Sequence, residues 1–156
     1  MNNRTLGQYI DYIEVSFLVY ATEDMDRLLQ MIKSMVHKEN FEDLEFVIDK
    51  MRGYYGNPIT KVTTVIRNRL IALEIVLKIA NSLKLKEKEI LKSEINHHID
   101  DRGTFYIRLD KQAIFKSDIC LGTSDPIRMK IKLSNKIRDH KEATRLYREF
   151  GFLGES

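Results

Sequence analysis

The stretch Asp125-Pro-Ile-Arg-Met-Lys-Ile-Lys-Leu133 decides the fold. Ile127, Met129, Ile131 and Leu133 alternate with Arg128, Lys130 and Lys132. Successive side chains on a strand point to opposite faces, so one face is a core surface and the other carries three cations in a row. Upstream, Phe105-Tyr-Ile-Arg-Leu-Asp-Lys-Gln-Ala113 repeats the pattern, with Phe105, Ile107 and Leu109 alternating with Tyr106 and Arg108. Two such strands in one sheet bring an aromatic ring and four cations to one wet face. That combination suits a ligand that is anionic along its backbone and flat at its bases, as nucleic acid is.

Working outward, residues 12–21 read as another strand, with Ile13, Val15, Phe17 and Val19 alternating with Glu14 and Ser16. Met25, Leu28, Leu29, Ile32 and Val36 then follow helical spacing, with Thr22 as the expected cap and Glu23 and Asp24 in the first turn. Residues 42–52 fit either period. The turn signal Gly53-Tyr-Tyr-Gly-Asn-Pro58 and the β-branched run 59–66 favour two strands joined by a loop. Residues 69–83 form an apolar-striped helix and 84–96 a more exposed one. Asp100-Asp-Arg-Gly103 is a turn, strands follow it, and Gly122-Thr-Ser-Asp-Pro126 is a second turn. Ala143, Leu146, Tyr147 and Phe150 mark a final helix that Gly151 ends. The expected order is β-α-β-β-α-α-β-β-β-α: a two-layer α/β (α+β) sandwich, its sheet mixed or antiparallel, with helices on one face.

The chain has 156 residues, 43% of them hydrophobic and 31% charged, which predicts one ordinary globular domain over 1–156 with its core at about 12–150. No apolar run reaches the roughly 18–20 residues of a membrane span, and the N-terminal residues lack the apolar core of a signal peptide, so a cytoplasmic location is expected. The single cysteine, Cys120, excludes an intramolecular disulfide and a multi-cysteine zinc site. Within Ile119-Cys-Leu121 it reads as a buried, inert thiol. The net charge of +3 is unevenly spread: residues 126–148 hold eight Lys/Arg against Asp139 and Glu142. Such a cluster is either a polyanion footprint or a solvated lysine-rich surface.

Chemistry-bearing motifs are sparse. His97-His98 diverges on a helix and reads as an exposed pair, with no ligand spacing beside it. Asp100, Asp101, Asp110 and Asp118 all adjoin turn-like sequence, where aspartates close and cap the backbone. No nucleophile elbow, phosphate loop or dinucleotide fingerprint is present. No cofactor or metal is implied. The candidates for RNA contact are Arg108, Arg128, Lys130 and Lys132 for phosphate, with Arg67 and Arg69 beside a strand-to-helix junction. Tyr106, and Tyr54 or Tyr55 on the glycine loop, are the candidates for stacking. Lys141, Arg145 and Arg148 form a further i, i+4, i+7 stripe, read as either a solvated face or part of the same surface.

The motifs around Gly53-Tyr-Tyr-Gly-Asn-Pro-Ile59, Phe105–Ala113 and 125–132, in that order, resemble a family of small archaeal proteins described as RNA-binding and predicted to associate with the exosome. The likeness spans residues 12 to 150. It implies a fold like that of the large-subunit ribosomal protein that binds 5S rRNA, an RNA partner, and exosome- or ribosome-related proteins as further partners. It transfers no catalytic residue. Where the family motif often carries histidine this chain has Tyr54 or Tyr55, so no imidazole role is expected there. Non-catalytic RNA binding is the expected function. One rival is an adaptor whose basic strand docks a partner protein, or pairs by its edge with its own copy as a homodimer. A small enzyme acting on a phosphorylated ligand is the other.

Overall fold

The computed structural model describes residues 3–154 except Tyr54, with Asn3 and Arg4 described by their backbone alone. Alternation in the chain becomes alternation in space. Strands β1 (Ile10–Tyr20), β2 (Val47–Arg52), β3 (Pro58–Ile66), β4 (Phe105–Leu109) and β5 (Ile127–Leu133) form one open sheet in the order β2-β3-β1-β5-β4. Every neighbouring pair is antiparallel. In β4 and β5 each apolar residue of the pattern is buried, while Tyr106, Arg108, Arg128, Lys130 and Lys132 are exposed or half-exposed.

The buried face is covered by helices, giving the expected two layers. Helix α1 (Asn3–Gly7) precedes β1, and α2 (Met25–Lys33) follows it, burying Leu28 and Ile32. Helix α3 (Arg69–Ser82) is the centre of the layer, with Ile71, Leu73, Ile75, Val76 and Ile79 all buried. Helices α4 (Leu85–Ser93) and α5 (Ile95–His98) flank the β4 edge, α6 (Lys111–Phe115) follows β4, and α7 (His140–Phe150) closes the core. The Tyr147 ring stacks on Phe105 at 4.5 Å, and its hydroxyl donates to the Gly103 carbonyl at 2.6 Å. Gly151, with φ of 103°, supplies the left-handed residue that stops α7, as its position predicts.

Four expectations need correction. Asp24, not Thr22, caps α2, accepting from the Arg27 N–H at 3.1 Å. Residues 42–52 are only half strand: a 3-10 turn, Lys38–Asp43, precedes β2, because the Glu74 carboxylate accepts from the His37 N–H and the Asn40 amide and holds the chain in that turn. The sixth strand is absent among the described residues. Asp110 accepts from the Gln112 and Ala113 N–H groups and starts α6, leaving residues 119–122 a single bridge, Leu109 to Leu121. There Gly122 approaches β4 so closely that a Cβ would lie 2.6 Å from Asp110 Cα. Finally, β5 is bonded on both sides, to β1 and β4, so the edge pairing imagined for it with a second copy or a partner strand has no free edge to use.

One buried cation ties the strand ends together. Lys111, 1% exposed, donates to the Leu18 carbonyl and to Glu23, both at 2.8 Å, and pairs with Asp125 at 2.5 Å. Asp125 adopts φ of 46° immediately before Pro126, a conformation disfavoured for an L residue and doubly so before proline. Burial alone would raise the Glu23 carboxyl, but hydrogen bonds from Lys111, the Tyr20 N–H and Gln112 hold it below its ordinary value of 4.5. A carboxyl depressed on folding stabilises above its unfolded pKa, and that contribution is lost as pH falls through the folded one. Lys111→Met is therefore expected to cost about 3–5 kcal/mol in urea unfolding at neutral pH. It should also flatten the decline in stability below pH 4.5. Unchanged stability and an unchanged acid limb would show that the network holds nothing.

Candidate nucleic-acid interface

The open face is a grid whose rows are fixed by strand register. Glu14 of β1 lies opposite Val65 and Lys130, and Lys130 lies opposite Tyr106. The next row runs Thr63, Ser16, Arg128, Arg108. Tyr12 pairs with Lys132, and the Arg67 guanidinium sits over its ring, 4.9 Å from the centroid. Lys130 Nζ reaches the same ring at 5.8 Å. A hydrogen bond to Tyr12 and the neighbouring Glu14 charge raise the Lys130 pKa, so this ammonium stays charged. Tyr12 was not among the sequence candidates. Its place at the end of an alternating run gave no signal, since only the pairing with β3 and β5 brings cations to both its sides.

Two carbonyls reveal how β4 presents its side chains. Tyr106 O accepts from His98 Nδ1 at 2.9 Å, and Arg108 O accepts from the Gly122 N–H at 3.0 Å. Both carbonyls thus point away from β5, making Tyr106–Lys130 and Arg108–Arg128 non-hydrogen-bonded pairs, the kind with closer side chains. Two guanidiniums face each other across one of them. Among the described residues none of Arg67, Arg108, Arg128, Lys130 and Lys132 has an ion pair within 4 Å. Tyr106 is 44% exposed, and its hydroxyl donates to Asp100 at 3.2 Å. Burial and that bond raise the phenol pKa. The ring is fixed in place while one side stays open.

Two cavities meet at this ridge. One, of about 410 Å³, is lined on the open face by Glu14, Ser16, Tyr106, Arg108, Arg128 and Lys130, with His97 at its rim. The other, of about 640 Å³, lies between β4 and α4–α5, and shares His97, Tyr106 and Arg108.

The remaining candidates fall elsewhere. Arg69 opens α3 and donates to the Gln8 carbonyl at 3.3 Å, tying α1 rather than joining the grid. Tyr55 is 86% exposed on the β2–β3 hairpin, and Tyr54 lies outside the described residues. The hairpin adjoins the Tyr20–Ile59 pair, four residues along β1 from the arginine row, or about 13 Å before the loop begins. Lys141, Arg145 and Arg148 are exposed on α7, in the helical layer, so the basic run of 126–148 is divided between two sides of the molecule. His98 is half-buried against Phe105 instead of exposed. Asp100 accepts from the Arg102 and Thr104 N–H groups, so it and Asp110 serve the backbone, as their turn sequences predict. Cys120 is half-buried instead of enclosed. Burial and then the Asp110, Glu87 and Asp118 carboxylates raise its pKa and keep it a thiol. No group of three or more His, Cys, Asp or Glu able to hold a metal occurs among the described residues, and no helix among them is long and apolar enough to cross a membrane.

An uncovered five-stranded antiparallel sheet with a cationic and aromatic face is the class of surface this chain presents. Residues 12–133 match the family described as RNA binding, and the chain belongs to that family. It is 28% identical over 123 residues, 78% of this chain and 80% of the relative, to the RNA-binding protein PAB1135 of Pyrococcus abyssi. It is 30% identical over 122 residues, 76% and 80% of the two chains, to the uncharacterised protein MJ0213 of Methanocaldococcus jannaschii. Among solved structures, protein AF2318 of Archaeoglobus fulgidus superimposes with a TM-score of 0.72 at 24% identity, covering 90% of this chain and 99% of that one. Mth689, a DUF54 protein of Methanothermobacter thermautotrophicus, gives 0.68 at 21%, covering 92% and 98%. At those identities the structures establish the shared fold.

Like charges directly opposite on a sheet destabilise it by about 0.2–1 kcal/mol. Arg108→Gln, which keeps a long polar stem, is therefore expected to raise the unfolding midpoint slightly at low salt, with the gain fading as salt screens the pair. A drop in stability would mean that the two guanidiniums do not repel.

Proposed function

We propose that the open face binds RNA, without catalysis, through Arg108, Arg128, Lys130, Lys132 and Arg67 on phosphates and Tyr106 and Tyr12 on bases. The observation that carries this reading is a set of five cations on one sheet face, none in an ion pair within 4 Å among the described residues, interleaved with the rings of Tyr106 and Tyr12. Family membership supports it, as does the RNA-binding relative. Phosphate contacts give affinity and position without reading sequence. In the cell the protein would serve in the cytoplasm as an accessory of RNA processing or degradation, in the company of the exosome, or on ribosomal RNA. The engagement of Asp100 and Asp110 in capping favours binding over acid–base chemistry.

Filter binding of a mixed RNA pool across a salt series tests the reading. Affinity should fall steeply with salt as condensed counterions are released. The triple change Arg128→Ala, Lys130→Ala, Lys132→Ala should weaken binding to all sequences and flatten the salt slope. Tyr106→Ala should lose roughly tenfold or more, from stacking worth about 1–3 kcal/mol per base, whereas Tyr55→Ala, on the distant hairpin, should leave affinity unchanged. No binding at low salt, or a triple variant that binds like the parent, would sink the proposal.

A further inference from the structure

One residue of the open face does not fit a plain phosphate track. Glu14 stands in the middle of the grid, between Val65 and Lys130, and lines the 410 Å³ cavity together with Ser16, Tyr106, Arg108, Arg128 and Lys130. It makes no hydrogen bond and no ion pair within 4 Å among the described residues, although its charge is felt by Lys130. A carboxylate left unpaired there would repel a phosphate chain laid straight across the sheet. It is, however, an acceptor-only group on the wall of a cavity whose other walls hold phosphate-binding arginines and an aromatic ring. The volume lies within the roughly 300–1,000 Å³ typical of clefts for small ligands.

We infer that this cavity takes one unpaired nucleotide of a bound RNA and that Glu14 selects its base. The inference rests on the RNA-binding reading above. The phosphate lies between the opposed guanidiniums of Arg108 and Arg128, whose mutual repulsion an anion relieves. The base lies against the Tyr106 ring, and the Glu14 carboxylate accepts from its edge. Bases with an exocyclic amino group can donate: cytosine from N4, adenine from N6, guanine from N1 and N2. Uracil offers its one N–H flanked by two carbonyl oxygens, both repelled by a carboxylate. In an A-form duplex the amino hydrogens that cytosine and adenine leave unpaired face a deep, narrow groove that side chains cannot read, so the site selects single-stranded RNA and discriminates against uridine.

Oligocytidine and oligouridine of equal length, short and 5′-labelled, test this by fluorescence anisotropy at one low salt concentration. They share ring size and backbone and differ only at C4, amino against carbonyl, and at N3, acceptor against N–H donor. The parent protein should bind the cytidine strand about tenfold more tightly, in keeping with one specific edge contact. Glu14→Gln, whose amide can also donate to a carbonyl, should bring the two affinities to within roughly a factor of two, chiefly by strengthening oligouridine. Arg108→Gln should weaken both strands alike and keep their ratio. Equal affinity of the parent for both strands, a preference for uridine, or a ratio unmoved by Glu14→Gln would overturn the assignment while leaving RNA binding intact. Failure of either strand to bind the parent at low salt, with the mixed pool also unbound, would overturn RNA binding and this assignment together.

Discussion

The placement of β5 between β1 and β4 is the constraint on which the rest of the structure depends. Its side-chain period is two, so a slip of one residue against either neighbour would turn Arg128, Lys130 and Lys132 into the core and Ile127, Met129, Ile131 and Leu133 out to water. Burying even one unpaired charge costs several kcal/mol, so the three cations enforce the register as firmly as the apolar residues do. The same register sets the grid on the open face. Arg128 faces both Ser16 and Arg108 because β5 can sit in one way only, and Tyr106 meets Lys130 for the same reason.

Lys111 secures that register from the strand ends. Its ammonium joins the end of β1, through Leu18, to the turn residue Glu23 and to Asp125 at the entrance of β5. Asp125 is held in a left-handed conformation ahead of Pro126, which costs about 1–2 kcal/mol for an L residue, and the ion pair with Lys111 offsets that strain. The aspartate two residues before β5, the lysine after β4 and the glutamate after β1 thus act as one clasp. It adds a directional side-chain contact to the backbone ladders and the burial pattern that set the register.

Local periodicity made the strands legible, and what depended on pairing was not. The alternation in β1, β4 and β5, and the Gly151 stop of α7, follow from nearest-neighbour chemistry and stand as expected. The expected order held a sixth strand, but the Asp110 cap three residues after Ile107 diverts the chain into α6, and capping competes with strand continuation at a single residue. The basic run of 126–148 looked like one patch because sequence shows linear density. In space it turns a corner at Ser134, and α7 carries its share to the helical layer. Tyr55 was a stacking candidate for its place on a glycine loop alone, and only the strand register shows the hairpin lying away from the arginine row. Glu14 was read only as part of the polar half of a strand and Tyr12 only as its first residue, since their significance comes from β5 on one side and β3 on the other.

The two ways this molecule treats positive charge carry the functional point. Lys111 is enclosed and met by two carboxylates and a carbonyl, so the fold is able to bring acidic partners to a cation where one is needed. On the open face the opposite holds. Arg108 and Arg128 confront each other, Lys132 and Arg67 flank Tyr12, and Glu14, opposite Lys130, makes no ion pair within 4 Å among the described residues. A surface arranged for stability would separate or neutralise those charges, since like charges directly opposite on a sheet destabilise it. Left uncompensated, they would lower the stability of the free protein, and an anion bound to the folded state alone would restore what the repulsion removes.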